Sequence, residues 1–283
     1  MNVLTKIRIK NWILTVLFLI PSIFRKKVSN KHIFLTIANK DFFYQLVLLI
    51  KSLRIYENEK VIIYDIGLTE QQKFYILKKI LNVEIILFKF EDYPPHFNLK
   101  YNYGSYAWKI AAIHEVFFKY KCDLIYLDAR NYITNPFYAT KYYLDKKGYY
   151  FPYASGKIKD WTHPTTLKYF NDERIGDNFN LNASYFGISF KNKEIQALVE
   201  ELFSLSLNSD IISPIGSNRQ NHRFDQSLLS CIFYRKYHLN PHSSISCQVM
   251  NLITHFDIIA PDKFNYQSSL IKNDEASLNM NFD

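Results

Sequence analysis

Two short stretches of this chain hold residue types able to do chemistry at useful spacing. One is Tyr126-Leu127-Asp128-Ala129-Arg130-Asn131, a carboxylate and a guanidinium two positions apart. The other is His222-Arg223-Phe224-Asp225-Gln226, in which His222, Asp225 and Gln226 stand at i, i+3 and i+4 and share one face if a helix starts there. A carboxylate at such a place takes a hydrogen bond or a proton from a hydroxyl; equally, Asp225 serves an ordinary helix start by opposing the macrodipole. Asp128 likewise has two readings. It is a ligand-facing acid at the end of a strand, or it caps the turn before Asn131.

The elements that must position these residues follow from periodicity. Residues 32–37 (HIFLTI), 60–64 (KVIIY) and 84–88 (EIILF) read as strands. Between them, Asp41 is placed to cap a helix carrying Phe42, Leu46, Leu49, Ile50 and Leu53, and a second helix runs over 70–81. Residues 105–120 read as a helix leading into the apolar strand 123–127 (DLIYL), and Asn135-Pro136 opens another short helix. The later chain is less regular: strands over 149–153 and 184–190, a helix over 193–207, a loop over 208–221, and a helix over 224–237. Strands that are continuous apolar runs are covered on both faces, so the pattern predicts an α/β fold with an open, mostly parallel sheet flanked by helices. Ligands bind such sheets at the carboxyl ends of the strands, which is where Asp128 falls.

Composition removes several classes. The seven glycines form neither GxGxxG nor GxxxxGK[ST], so dinucleotide-binding and P-loop chemistry are disfavoured. GxSxG and HExxH are absent as well. The three cysteines, Cys122, Cys231 and Cys247, are odd in number and show no CxxC pair, which argues against a disulfide scaffold or structural zinc and fits a reducing compartment.

The formal net charge is +9, but seven basic residues and no acid fall within residues 1–31, leaving 28 basic against 26 acidic beyond them. A nearly neutral body disfavours nucleic acid as a partner. Between the basic clusters, residues 11–24 (NWILTVLFLIPSIF) are uncharged, shorter as a helix than a bilayer core, and interrupted by Pro21. Residues 1–28 therefore read as a membrane-associating segment lying in the interface of an anionic membrane, with a helix packed on the domain as the other reading and a cleaved secretory signal disfavoured because no small-residue cleavage site follows Phe24; residues 29–283 read as one domain. The expected location is the cytoplasmic face of a membrane.

The order and spacing of several segments resemble the GT-A class of nucleotide-sugar glycosyltransferases across most of residues 30–240. They are Tyr64-Asp65-Ile66-Gly67-Leu68-Thr69, Ser105-Tyr106-Ala107-Trp108-Lys109, Tyr126-Leu127-Asp128, Asn182-Ala183-Ser184-Tyr185-Phe186-Gly187 and His222-Arg223-Phe224-Asp225-Gln226. The resemblance implies transfer of a sugar from a nucleotide-diphosphate donor to a glycan or lipid-linked acceptor, in polysaccharide synthesis at a membrane surface. It implies donor binding by Ala38, Asn39, Lys109, Asp128 and Arg130, acceptor binding by His222, Arg223, Gln226 and Trp108, and catalysis by Asp225 and Asp128.

One departure bears on the cofactor. The Asp-x-Asp pair that holds Mn²⁺ or Mg²⁺ in this class is here Asp128-Ala129-Arg130, and a guanidinium ligates no cation. Asp128 with His255 would be the remaining metal ligands. Alternatively Arg130 neutralises the diphosphate directly through bidentate hydrogen bonds, or the chain has kept the fold as a binding or scaffolding protein without turnover.

Overall fold

The structure is a computed structural model that describes residues 32–134 and 136–237, and the backbone of 253–255. The predicted membrane-associating segment lies outside the described residues. Among the described residues no helix is long and apolar enough to cross a membrane.

In chain order the first half contains β1 (His32–Ala38), α1 (Phe43–Arg54), β2 (Val61–Asp65), α2 (Glu70–Lys79), β3 (Val83–Leu87), α3 (Ala107–Tyr120), β4 (Asp123–Leu127), β5 (Asn131–Ile133) and α4 (Tyr138–Lys147). There follow β6 (Tyr149–Tyr150), β7 (Tyr153–Lys157), α5 (Pro164–Phe170), β8 (Phe179–Leu181), β9 (Tyr185–Ile188), α6 (Lys193–Ser206), α7 (Ser209–Ile212), α8 (Asp225–Lys236) and β10 (Ile253–His255). The chain forms two compact units. One takes the described parts of Met1–Leu87, Ile125–Tyr142 and Ile245–Asp283; the other takes Phe88–Leu124 and Tyr143–Ser244.

The first unit is built on strands in the order β3-β2-β1-β4. Strands β1, β2 and β3 are parallel, with Ile37 opposite Tyr64 and Tyr64 opposite Ile86. Every residue of β1, β2 and β4 is buried, as their unbroken apolar runs require. Helix α1 covers β1 because Phe43, Leu46, Val47, Leu49, Ile50 and Leu53 fall on one face at helical spacing and are all buried. Helix α2 starts at a capping box in which Thr69 accepts from the Gln72 N–H at 3.2 Å and Gln72 accepts from the Thr69 N–H at 3.1 Å. Beyond β4 the chain turns at once into β5, tied to α1 by the Ile133 N–H on Ser52 Oγ at 3.0 Å. Strand β10 pairs antiparallel with β5.

The second unit packs α3, α6 and α8 together beside two antiparallel pairs, β6 with β9 and β7 with β8. His114 of α3 stacks on Phe203 of α6 with centroids 4.2 Å apart, and Ser189 Oγ donates to buried Asp123 Oδ1 at 2.5 Å. Leu181 N–H donates to Ser230 Oγ at 3.0 Å, fixing β8 on α8.

Local predictions fail where backbone geometry intervenes. Asp41 does not cap α1: residues Lys40–Phe42 make a separate 3₁₀ turn and the helix starts at Phe43 without a side-chain cap. The helix predicted from Asn135-Pro136 starts later, at Tyr138. The helix predicted from Ser105 starts at Ala107, because Ser105 and Tyr106 have positive φ. Residues 149–153 divide into β6 and β7, and the loop predicted over 208–221 contains the short helix α7.

Candidate functional site

In the first unit the carboxyl ends of β1 and β4 carry four of the predicted donor residues, Ala38, Asn39, Asp128 and Arg130, and the neighbouring end of β2 shapes their loop. Asp65 closes β2 and is spent on its own loop, its Oδ1 accepting the N–H groups of Gly67 at 2.8 Å and Leu68 at 2.6 Å. Gly67 has φ +129°, a conformation L side chains rarely adopt. The loop so shaped is bound to the end of β1: the Ile66 N–H donates to Ala38 O at 3.0 Å and the Lys40 N–H to Gly67 O at 2.9 Å. Ala38 is thereby a buried strand terminus, and its carbonyl is committed to Ile66. Asn39 is different. Its Nδ2 donates to Asp41 at 3.2 Å, while its Oδ1 is buried and has no hydrogen-bond partner among the described residues. An orphan acceptor held by a rigid loop suits a ligand N–H or hydroxyl.

Asp128 follows β4 directly and is half-buried. Its Oδ1 accepts the Tyr126 hydroxyl at 2.6 Å, two residues back along the strand and so on the same face. Its carbonyl accepts the Asn131 N–H at 2.9 Å, making a tight turn with Ala129 buried and Arg130 half-buried at its tip. The turn before Asn131 is thus closed by the Asp128 backbone carbonyl, and the side chain is held by Tyr126. The backbone of His255 lies opposite Asn131 in the β5–β10 pair, three residues from Asp128.

The described donor set here is one carboxylate, already bound by a phenol, and a guanidinium in place of the second acid. It does not fit a divalent cation. The potential metal ligands that do cluster among the described residues are His32, Glu57 and Glu59, within 4.8 Å of one another. His32 is the first residue of β1, at the other end of that strand from Asn39. An internal cation already serves this cluster, since Lys141 Nζ lies 2.6 Å from Glu57 and 3.8 Å from Glu59. Burial pushes the Glu57 carboxyl up, but hydrogen bonds from His32 and Lys141 and the charge of Lys141 outweigh it and bring it to about 2. The group is an internal brace of two carboxylates against one ammonium.

The second unit brings together residues far apart in sequence. Lys109, in the first turn of α3, and Asp225, the first residue of α8, form an ion pair at 2.7 Å with side chains only 6% and 10% exposed. A cation in the first turn of a helix opposes the macrodipole, and a buried one is costly unless paired; the ion pair with Asp225 offsets that cost.

Both helices start from strained backbone. Ahead of α3, Asn102, Tyr103, Gly104, Ser105 and Tyr106 are five consecutive left-handed residues with φ between 47° and 64°. For L-residues this costs roughly 1–2 kcal/mol each. The Trp108 Nε1–H donates to Tyr103 O at 3.0 Å and holds the turn. Ahead of α8, Phe224 has φ 47° and ψ −111°, and its ring sits 5.9 Å from that of Tyr106. Strain of this kind persists where the surroundings enforce it, and it concentrates at functional sites.

Two acceptor predictions are corrected by this geometry. His222 is fully buried and lies outside α8, so it does not share a helical face with Asp225 and Gln226. Its Nδ1 accepts the His163 N–H at 3.1 Å and its Nε2–H donates to Ile212 O at 3.0 Å, leaving neither nitrogen for a ligand. Burial pushes the imidazole down to about 4, against the Ile212 hydrogen bond and with a smaller contribution from His163, so it is neutral. Trp108 is also buried, its N–H spent on the left-handed turn. Gln226 is half-buried one position into α8, with its N–H on Arg223 O at 3.0 Å. Arg223 lies over the ring of Trp161 at 4.1 Å.

Sequence reasoning gave no role to Tyr126 or Tyr106, although both lie in the segments it singled out, and missed Trp161 altogether. Strand period two placed Tyr126 beside Asp128 and was available to read; the Arg223–Trp161 pairing spans 62 positions and left no local signal.

Comparison with known proteins gives a family described as "Protein of unknown function (DUF1647)", matching residues 19–113, about a third of the chain and naming no activity. No curated protein sequence matches. Among solved structures, the galactosyltransferase LgtC, determined in complex with donor and acceptor sugar analogs, is 11% identical; the match covers 84% of this chain and 95% of that one with a TM-score of 0.53. Mouse xyloside xylosyltransferase 1 in its apo form is 14% identical over 75% of this chain and 84% of that one, TM-score 0.48. Core-mannan synthase A of Aspergillus fumigatus, in a Mn/GDP form, is 10% identical over 74% and 71%, TM-score 0.48. The last two scores are too low to carry weight. The LgtC likeness shows that the fold is that of a GT-A glycosyltransferase, as the sequence segments implied.

Proposed function

We propose that this protein is a glycosyltransferase that moves a sugar from a nucleotide-diphosphate donor to a glycan or lipid-linked acceptor. The observation that carries this reading is the fold, which extends over most of the chain and nearly all of a galactosyltransferase solved with donor and acceptor sugar analogs. Asn39, at the end of β1, offers its orphan Oδ1 to the nucleoside. Arg130, at the tip of the turn after β4, meets the leaving diphosphate, because a planar guanidinium makes two parallel charge-assisted hydrogen bonds to phosphate oxygens. Asp128, aimed by Tyr126, accepts from a sugar or ribose hydroxyl.

In the second unit the Lys109–Asp225 pair serves the reacting sugars. With its charge shared by an ammonium 2.7 Å away, Asp225 suits orienting a sugar hydroxyl better than removing its proton. The reading places the reaction at the cytoplasmic face of an anionic membrane in polysaccharide synthesis, with residues 1–28 as the contact. The basic flanks and apolar centre of that segment support it.

A screen of UDP- and GDP-sugars on purified full-length protein, with and without Mn²⁺, tests the proposal. Hydrolysis or transfer is expected from at least one donor. Tight donor binding without turnover in either condition would instead favour a binding protein that lost catalysis with the second acid, a reading that the substitution by Arg130 supports.

A further inference from the structure

The segment that opens α8 carries two arginines whose charges nothing in the described protein neutralises. Arg223 is half-buried and Arg219 exposed. Among the described residues neither guanidinium makes a hydrogen bond or an ion pair with a protein acceptor. They are near enough to feel each other: burial lowers the Arg223 pKa, the charge of Arg219 lowers it further, and only the Tyr106 phenol acts the other way. The nearest acid in sequence, Asp225, is committed to Lys109.

Arg223 is not a loose surface side chain. Its guanidinium lies 4.1 Å above the Trp161 ring, and its backbone N–H donates to Trp161 O at 3.0 Å. The Ser227 hydroxyl donates to the same carbonyl at 2.6 Å, binding the first turn of α8 to the platform. The indole is itself fixed. Gly156, at φ +82°, passes so close that a Cβ there would lie 2.2 Å from Trp161 Nε1. On the preceding side, buried His222 locks the chain to His163 and Ile212. The loop carrying Arg219 is closed by its own asparagines, with the Asn218 N–H on Asn221 Oδ1 at 2.8 Å and Asn221 Nδ2 on Gly216 O at 3.1 Å. A guanidinium stacked by its face keeps its edge N–H groups in a fixed fork, the geometry that reads a phosphate or carboxylate through two parallel hydrogen bonds.

We propose that Arg223 on Trp161, with Arg219 beside it, is an anion subsite, and that the acceptor is accordingly a sugar bearing a phosphate or a carboxylate. The inference rests on the glycosyltransferase reading for the word acceptor, but not for the anion. Because a donor diphosphate has the same chemistry, the test separates the two sources.

Full-length protein is titrated calorimetrically with glucose 6-phosphate, glucuronate, glucose and the nucleotide sugars, in wild type, Arg223→Gln and Arg223→Lys, with thermal melts confirming the fold of each. At least one anionic sugar should bind ten times tighter than glucose. Arg223→Gln should remove that preference, and Arg223→Lys should leave only part of it, since an ammonium cannot stack and fork. Nucleotide-sugar affinity should stay the same. Equal binding of glucose and both anions, no binding of either anion at millimolar concentration, or anion binding unaffected by Arg223→Gln would overturn the subsite. Loss of nucleotide-sugar affinity in Arg223→Gln would assign the anion to the donor and overturn the acceptor claim. Failure of every nucleotide sugar to bind wild type would sink the transferase reading separately.

Discussion

Lys109 and Asp225 are the residues whose structural and chemical roles most need separating. Lys109→Met leaves a carboxylate buried without its cation, which costs about 3–5 kcal/mol. The double substitution Lys109→Met with Asp225→Leu removes both charges, so denaturant unfolding should show much of that loss restored. Transferase activity should stay at least a hundredfold down in both. If the double variant recovers activity along with stability, the pair is only a brace. His222 gives a pH signature. Its folded pKa of about 4 lies below the ordinary 6.5, so the unfolded chain takes up a proton that the folded one refuses. Its contribution is therefore intact above pH 6.5 and lost as pH falls toward 4, by roughly 3 kcal/mol across that window. The stability advantage of wild type over His222→Gln should shrink by about that amount between the two pH values. A constant difference would mean that His222 is not buried neutral.

Among the elements, the left-handed turn before α3 is the most exposed to single substitutions. Gly104 has φ +64°, and a Cβ there would lie 2.2 Å from Phe97 O and 2.6 Å from the Trp108 ring. Gly104→Ala should destabilise by about 2 kcal/mol or more and disturb Lys109 downstream, measured as a drop in melting temperature together with activity. An unchanged melt would mean that the turn relaxes without consequence. This turn also marks where sequence reading stopped. Strand 123–127 was legible to the residue, and α2 within two residues, because apolar runs and helical periodicity are local signals. Five left-handed residues of which four are not glycine carry no such signal; tertiary contacts impose them. The three-residue strands β5, β8 and β10 were missed for the same reason, their pairing being set by distant chain. Of the site, Lys109 and Asp225 were each legible as candidates, but their ion pair across 116 positions was not. His222 and Trp108 were expected to bind the acceptor because the segments that hold them resemble those of the family, whereas burial commits both within the protein.

For the whole molecule, charge placement makes its own prediction. The net charge of +9 is concentrated in residues 1–31, and the remainder is nearly balanced. Full-length protein should sediment with vesicles containing anionic lipid, weaken as salt is raised, and lose binding on deletion of residues 1–28, at about 1 kcal/mol per basic residue near the surface. Vesicle binding that survives the deletion would place the membrane contact elsewhere. The central claim, that a nucleotide diphosphate rests at the carboxyl edge of β4, is tested most directly by donor affinity. Dissociation constants for the preferred nucleotide sugar should rise at least tenfold in Arg130→Ala and in Asp128→Ala, with unchanged thermal melts. Donor affinity equal to wild type in both variants would contradict the account.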